Sequence, residues 1–318
     1  MSKERFTDLA WTDGDFNNST TSGSQTALQT SYWFIKYYLS NYLKFKPEKP
    51  SISLIAGTSV HQYFQGILSG NFKMTDVEQH FSTHLKQYDF DDERKKAKAK
   101  FIKDRIKGYV QRHIQAVQKI SNWNEGWTVE EHFSDWYDDK YMNTTLNAAS
   151  EGYIDVVNKK LKVFSEHKNK FGTVKFAPLK KESKKENVNR FNDFTYNKSQ
   201  KIKSPQFTHC VQTAVYSKHF NFNFDGYLIY VGDEDYTIFD ASNCWELSKD
   251  GLQFFFNKFI QINIQRQEML RMAKGSIKNL AIMIGIDWSE IRNYKNNFLL
   301  ENYQEEDIKK IENFYNNL

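Results

Sequence analysis

The sequence has only two cysteines, Cys210 and Cys244, among its 318 residues. Two thiols are too few for a disulfide framework or for a metal or iron–sulfur site held by four thiolates. The longest apolar run, 280–286, is about seven residues long, whereas a helix needs about 20 to cross a bilayer. No apolar segment follows the first charged residues, as it would in a signal peptide. These absences exclude secreted, membrane-spanning and disulfide-stapled classes, and we expect a cytoplasmic protein.

Positive charge is concentrated in one part of a chain whose net charge is only +5. Between Lys175 and Lys203, eight lysines and one arginine stand against three acidic residues, which gives this segment a net charge of +6. Such a run favours a polyanionic partner, although it is also typical of a solvated surface loop. The composition, with 39% hydrophobic and 16% aromatic residues, supplies a core and excludes a disordered polymer.

Hydrophobic spacing divides the chain into helical ends and a mixed centre. The polar residues 1–21 are expected to form a flexible N-terminal arm. Residues 22–275 are expected to form one α/β domain, which is helical over 22–122 and combines strands and helices over 123–275. Residues 276–318 form a C-terminal helical extension in this interpretation. No internal repeat or long linker interrupts the sequence.

β-branched and aromatic residues predict five short strands in the mixed centre: Trp127–Phe133, Gly152–Val157, Leu161–Lys168, Tyr227–Val231 and Tyr236–Phe239. An apolar helix over 205–220 separates the third strand from the fourth, and a long helix begins at Ser248. Before the strands, the apolar stripe predicts one long amphipathic helix from Glu93 to Ser121.

Three charged residues lie in the second and third predicted strands, where apolar side chains would be expected. Alternation places Glu166 and Lys168 on one face of their strand, and Asp155 joins that face if the connecting turn has an even number of residues. Two carboxylates can hold Mg²⁺, and an ammonium group stabilises the charge that develops during phosphodiester hydrolysis. The alternative is a solvated surface ion pair, which is the common role of Glu-x-Lys on a strand.

These residues resemble the PD-(D/E)xK nuclease superfamily, and in particular its RecB-like branch of phage-type exonucleases. Four motifs occur in the order found in that branch: Gly57-x-x-x-His61, Asp155, Glu166-His167-Lys168 and Gln212-x-x-x-Tyr216. Two positions depart from the family pattern: Ile154 replaces the usual Pro, which the family tolerates, and Asn169-Lys170 replaces the usual Thr-Gly, which weakens the match in that loop. The four cysteines of the iron–sulfur members are missing, and the chain has no Gly-Lys dipeptide and hence no P-loop for a nucleotide.

The resemblance implies a restriction-endonuclease-like fold, α/β with a central mixed sheet flanked by helices and with helical N-terminal and C-terminal additions. It implies that His61, Asp155, Glu166 and the backbone carbonyl of His167 bind Mg²⁺ or Mn²⁺. It also implies that Lys168 positions or polarises the attacking water, and that Gln212 and Tyr216 orient either the DNA strand or the lysine. Without the resemblance, His61 would be read as a core histidine and Tyr216 as a packed core tyrosine.

The expected function is therefore that of a metal-dependent deoxyribonuclease, in the first place an exonuclease used in replication, recombination or genome processing. The expected partners are single- or double-stranded DNA, bound with little sequence preference, and replication or recombination proteins. Six basic residues are expected to contact DNA: Lys175, Lys180, Lys181, Lys184, Lys185 and Arg190. A site-specific or structure-specific endonuclease, or a DNA-binding assembly protein that does not cleave, is the alternative. The Lys-, Asn- and Ile-rich composition suggests a phage or low-GC bacterial origin.

Overall fold

A computed structural model describes the chain over residues 20–26, 28, 30–45, 50–88, 90, 93–121, 126–139, 144–145, 149–176, 194–285 and 303–318. The helices are α1 Gly23–Thr26, α2 Thr30–Phe34, α3 Ser40–Tyr42, α4 Ile52–Leu68, α5 Val77–Leu85, α6 Glu93–Lys103, α7 Ile106–Ile120, α8 Phe207–His219, α9 Lys249–Ala273, α10 Ile277–Ile284 and α11 Glu305–Asn316. A π-helical turn, Ile35–Leu39, joins α2 to α3, and two short 3-10 turns cover Met74–Asp76 and Trp245–Leu247.

The strands are β1 Thr20–Thr21, β2 Thr128–Asp135, β3 Asp138–Asp139, β4 Thr144–Thr145, β5 Ala149–Asn158, β6 Val163–Asn169, β7 Thr173–Phe176, β8 Phe194–Asn197, β9 Asp225–Val231 and β10 Tyr236–Phe239. The central sheet has the order β2–β5–β6–β9–β10, with β1 beside the start of β5. It is mixed, because β6 and β9 run parallel and the other pairs in this order are antiparallel. All five predicted strands belong to it, which confirms the α/β class with a central mixed sheet flanked by helices.

Helices cover both faces of this sheet, as the alternation of side chains along β9 requires. Leu228 and Tyr230 pack in one core cluster with α8 and α9, whereas Ile229 and Val231 pack in another with α4, α5 and α7. The crossover from β6 to the parallel strand β9 passes through α8. In the described part of the chain, no helix combines the length and the apolar character that crossing a membrane requires.

The two ends of the described chain pack on each other in a third core cluster. Helix α2 and the π-helical turn contact the end of α9 together with α10 and α11. Arg266 of α9 ties the two parts together, since its guanidinium donates to the backbone carbonyl of Leu28 at 2.6 Å and lies 4.8 Å from the ring centroid of Trp33. Of the arm predicted at 1–21, Thr20 and Thr21 form β1, and residues 1–19 lie outside the described residues.

The single helix predicted from Glu93 to Ser121 is wrong, because the chain breaks into α6 and α7 at Asp104 and Arg105. The Arg105 guanidinium donates to the carbonyl of Phe101 at 2.9 Å, which is the acceptor that an unbroken helix would offer to the Arg105 amide. That amide bonds instead to the carbonyl of Ile102, which tightens the turn. Hydrophobic periodicity continues through the break, so the pattern alone could not reveal it.

The packing of α1 against α8 generates a prediction about two glycines. A Cβ added at Gly23 would lie 2.6 Å from the Cα of Gln212, whereas one added at Gly57 meets only Phe171 at 4.0 Å. We expect Gly23→Ala to lower the free energy of unfolding by about 1–3 kcal/mol through overpacking. Gly57→Ala, the matched control in α4, should be neutral or stabilising by up to about 1 kcal/mol. Urea denaturation measures both, and equal effects would contradict this packing.

Candidate active site

The site forms where β5 and β6 separate. Their backbone pairing covers Val156 opposite Ser165 through Asn158 opposite Val163 and stops there, so Asp155 and Glu166 are the next residues on the two strands. The turn between the strands has four residues, 159–162, which is the even number that the prediction required. Past the separation, β6 remains paired with β9 along its whole length. An open gap is thus left beside β5, and its two walls carry the two acids.

The Asp155 carboxylate lies in this gap and replaces part of the missing ladder. Its Oδ2 accepts a hydrogen bond from the backbone N–H of His167 at 2.7 Å. An amide in a sheet needs an acceptor, and an unpaired one would be costly to bury. The Asp155 carboxylate therefore supplies the acceptor that the backbone of β6 needs, and the same hydrogen bond fixes it in the space between the strands.

The backbone around Asp155 is locally distorted. Ile154 packs in the cluster of α8, whereas Val156 packs in the cluster of α4 and α7. Residues two apart in a regular strand share a face, so the alternation along β5 is broken at Asp155. Opposite this point on β2, Glu130 has a φ of 52°, in the left-handed region that costs a non-glycine residue about 1–2 kcal/mol. Such irregularities change the direction of a side chain. Here the Asp155 side chain packs in neither core cluster and lies between the strands instead.

His61 of α4 approaches the same carboxylate, with its Nδ1 3.4 Å from Asp155 Oδ1. Burial disfavours the imidazolium, but the charge of Asp155 outweighs burial and raises the pKa of His61. Burial likewise opposes ionisation of Asp155, yet His61 and Lys168 outweigh it and hold the pKa of Asp155 well below its usual range. His61 is therefore the partner of an ionised carboxylate, and its Nε2 is the ring nitrogen left to bind an ion.

The buried Glu166 and the partly buried Lys168 form an ion pair on the α8 side of the gap. Glu166 Oε1 contacts the Lys168 ammonium, while Glu166 Oε2 is buried and has no hydrogen-bond partner. Burial and the nearby charge of Asp155 raise the pKa of Glu166 to about 7. Burial also opposes the charge on Lys168, but the two carboxylates outweigh it and raise the pKa of Lys168, which stays protonated.

Gln212 and Tyr216 hold the lysine in place. The Lys168 ammonium donates to Gln212 Oε1 at 3.0 Å, and Gln212 Nε2 donates to the Tyr216 hydroxyl at 2.6 Å. That hydroxyl donates in turn to the backbone carbonyl of Tyr153 at 3.0 Å, on the open edge of β5. The four-residue spacing on α8 places both side chains over the gap. The resemblance left two roles open for this motif, orienting the DNA strand or orienting the lysine. The contacts seen here are those of the second role.

The His167 ring points to the other side of the sheet, into a buried chain of polar groups. His113 Nε2 donates to Asn169 Oδ1 at 2.9 Å, so its Nδ1 accepts from His167 Nδ1, also at 2.9 Å. His167 Nε2 then accepts from the Ser165 hydroxyl at 2.9 Å. Burial lowers the pKa of His113 and brings that of His167 to about 3, so both rings stay neutral. The ring of His167 is thus fully engaged, and only its backbone carbonyl, on the same edge as its N–H, faces the gap.

Sequence reasoning missed His113, whose ring fixes the residue between Glu166 and Lys168. The available signal was an imidazole within the apolar stripe of α7, where it is fully buried. Of the six residues predicted to contact DNA, Lys175 lies exposed on β7. The other five, Lys180, Lys181, Lys184, Lys185 and Arg190, lie outside the described residues.

Asp155, Glu166 and His61 offer the oxygen and nitrogen donors that suit Mg²⁺ or Mn²⁺. Among the described residues, no three His, Cys, Asp or Glu side chains already surround one point closely enough to hold an ion. The buried, unpartnered Oε2 of Glu166 is the observation that fits a cation, because such an atom needs a compensating positive charge or donor. The donor set therefore fits a divalent ion.

The chain from Lys168 to Tyr153 generates a prediction about Tyr216. Tyr216→Phe leaves the Tyr153 carbonyl and the Gln212 amide without their buried partner, so the free energy of unfolding should fall by about 1–3 kcal/mol. Tyr153→Phe is the matched control, because this residue is 59% exposed and its carbonyl is retained; its effect should be below about 0.5 kcal/mol. Chemical denaturation compares them, and a loss no larger in Tyr216→Phe would contradict the hydrogen-bond chain.

No protein-family model, curated protein or solved structure matches this chain. The functional inference therefore depends on the geometry of the site and on the four sequence motifs.

Proposed function

We propose that the protein is a metal-dependent nuclease that hydrolyses phosphodiester bonds in DNA. The observation that carries the proposal is the meeting of Asp155, Glu166 and Lys168 in one gap of the sheet, with Glu166 Oε2 buried and unpartnered. A solvated surface pair does not account for it, because the Glu166 side chain is only 3% exposed. Burying Glu166 and partly burying Asp155 and Lys168 is costly, and such costly burial of charge is typical of functional sites.

Asp155 and Glu166 would hold the cation, with His61 and the His167 carbonyl as further donors. A divalent ion, when bound, supplies a Lewis acid for the phosphoryl oxygen and lowers the pKa of a bound water. Lys168 lies beside both carboxylates and places a positive charge where negative charge develops on the phosphate during attack. Gln212 and Tyr216 keep that ammonium in position, so the chain's own residues supply orientation as well as charge.

The arrangement of elements supports a restriction-endonuclease-like core as part of the same proposal. The two acids lie on adjacent antiparallel strands, β5 and β6, and α8 carries the Gln-x-x-x-Tyr pair before the chain returns as the parallel strand β9. His61 approaches from α4 on the opposite face. This is the order in which the four motifs of the resembled family occur.

The resemblance favours an exonuclease, and the substrate topology separates the alternatives. Purified protein would be incubated with linear single-stranded DNA, linear duplex and closed circles, with Mg²⁺, Mn²⁺ or EDTA. We expect metal-dependent degradation of linear DNA. Cutting of closed circles would instead indicate an endonuclease, and DNA binding without cleavage in any metal would contradict a nuclease.

Lys168→Met should lower the rate of cleavage by at least about 100-fold, because it removes a preorganised charge at the reacting phosphate. The matched control is Lys159→Met in the same β-hairpin, whose side chain is 63% exposed and pairs with Glu131. We expect the control to cleave at the wild-type rate. Gel assays with Mn²⁺ and end-labelled DNA measure both variants, and similar rates for Lys168→Met and Lys159→Met would exclude the assigned role of Lys168.

Metal binding should release a proton, because the pKa of Glu166 is raised to about 7. Below that pH the carboxyl is protonated and an ion has to displace the proton, so Mn²⁺ affinity should fall about tenfold per pH unit below 7 and level off above it. Isothermal titration calorimetry at pH 6, 7 and 8 in two buffers measures affinity and proton release. Glu166→Gln should reduce the proton release to the part that comes from His61, whose pKa is also raised; affinity that is constant from pH 6 to pH 8 would contradict the shifted carboxyl.

A further inference from the structure

One face of α4 leads from the gap to a second charged element. His61, Gly57 and Ser53 follow at four-residue intervals on this face. His61 contacts Asp155, Gly57 lies against Phe171, and the Ser53 hydroxyl accepts from the Lys98 ammonium of α6 at 2.7 Å. At 1.5 Å per residue, Ser53 is about 12 Å from His61 along the helix. Helix α6 therefore lies a short, fixed distance from the two acids.

Helix α6 also packs on the hairpin formed by β7 and β8, which begins five residues beyond Lys168. Its Arg94 guanidinium donates to the backbone carbonyl of Val174 at 2.9 Å. The rings of Phe101 and Tyr196 stack with centroids 5.2 Å apart, and the Arg105 guanidinium lies 4.7 Å from the centroid of the same tyrosine. Helix α6 and the base of the hairpin are thus one surface next to the site.

The outer face of α6 carries a stripe of lysines. Lys96, Lys100 and Lys103 are exposed and follow at spacings of four and three residues, whereas Ala99 and Ile102 are buried. The three residues are thus separated by about 6 and 4.5 Å along the helix axis. The one acidic residue of the helix is Glu93, which pairs with Lys96 at 2.7 Å. The stripe provides the regular positive charge that a phosphate backbone attracts.

We propose that the α6 lysine stripe, formed by Lys96, Lys100 and Lys103, binds the backbone of the nucleic acid that enters the Asp155–Glu166 gap. This surface lies outside the basic segment that the sequence marked for DNA. The partner is taken as nucleic acid rather than acidic protein because the stripe adjoins a proposed phosphodiester site. The inference rests on that proposed function.

The test compares two triple variants of the full chain with equal change in charge. Lys96→Gln/Lys100→Gln/Lys103→Gln removes the stripe, and Lys249→Gln/Lys278→Gln/Lys309→Gln removes three exposed lysines from α9, α10 and α11. Fluorescence anisotropy in EDTA gives the affinity for a labelled duplex between about 50 and 200 mM salt. The slope of log affinity against log salt should become less steep by about 2–3 in the stripe variant and should stay unchanged in the control variant.

A small chromogenic diester, thymidine 5′-p-nitrophenyl phosphate with Mn²⁺, separates this surface from the chemistry. The stripe variant should hydrolyse it at the wild-type rate, because the small diester does not reach α6. Equal salt slopes for the two triple variants would contradict the proposal that the α6 lysine stripe binds DNA. So would binding of poly-L-glutamate as tight as that of DNA and equally sensitive to loss of the stripe. If the wild-type protein hydrolyses no diester but the stripe variant still shows a reduced salt slope in DNA binding, the proposed function fails and the binding surface stands.

Discussion

The hydrogen bond from the His167 amide to the Asp155 carboxylate is the interaction on which the site depends. It terminates the pairing of β5 with β6 and fills the resulting gap with an ionised side chain. The neighbouring position on β6 is Glu166, so the two acids are brought together by the same event that separates the strands. A regular ladder through this point would satisfy the backbone equally well but would leave no space for an ion or a phosphate.

The charges in the gap are balanced from both sides of the sheet. From the α4 side, His61 lies against Asp155, and the neutral pair His113 and His167 fixes the strand behind it. From the α8 side, Gln212 holds Lys168 against Glu166. One carboxylate is strongly ionised and the other titrates near neutrality because their surroundings differ. Pairs of groups with pKa values pushed apart are typical of hydrolytic sites. The cost of burying them has to be offset by the three core clusters around the sheet.

The sequence predicted the parts of this arrangement that depend on local pattern. The five central strands, the helix around Gln212 and the long helix that begins at Ser248 follow from alternation and spacing. The break of the ordinary alternation at Asp155 and the turn at Arg105 could not be predicted from local pattern. The first faces a residue of unusual φ, Glu130, on the neighbouring strand, and at the second the Arg105 guanidinium packs over the distant ring of Tyr196. The same holds for the link of the two chain ends through Arg266. His113 left a signal, a polar ring in an apolar stripe, that only the neighbouring strand explains.

A crystal of the protein soaked in Mn²⁺ would test the central claim most directly, through its anomalous difference map. We expect one strong peak in the gap between β5 and β6, within coordination distance of carboxylate oxygens from both Asp155 and Glu166, and its loss in Asp155→Asn. A well-ordered gap with no peak, or a peak bound to only one of the two acids and remote from the other, would contradict it.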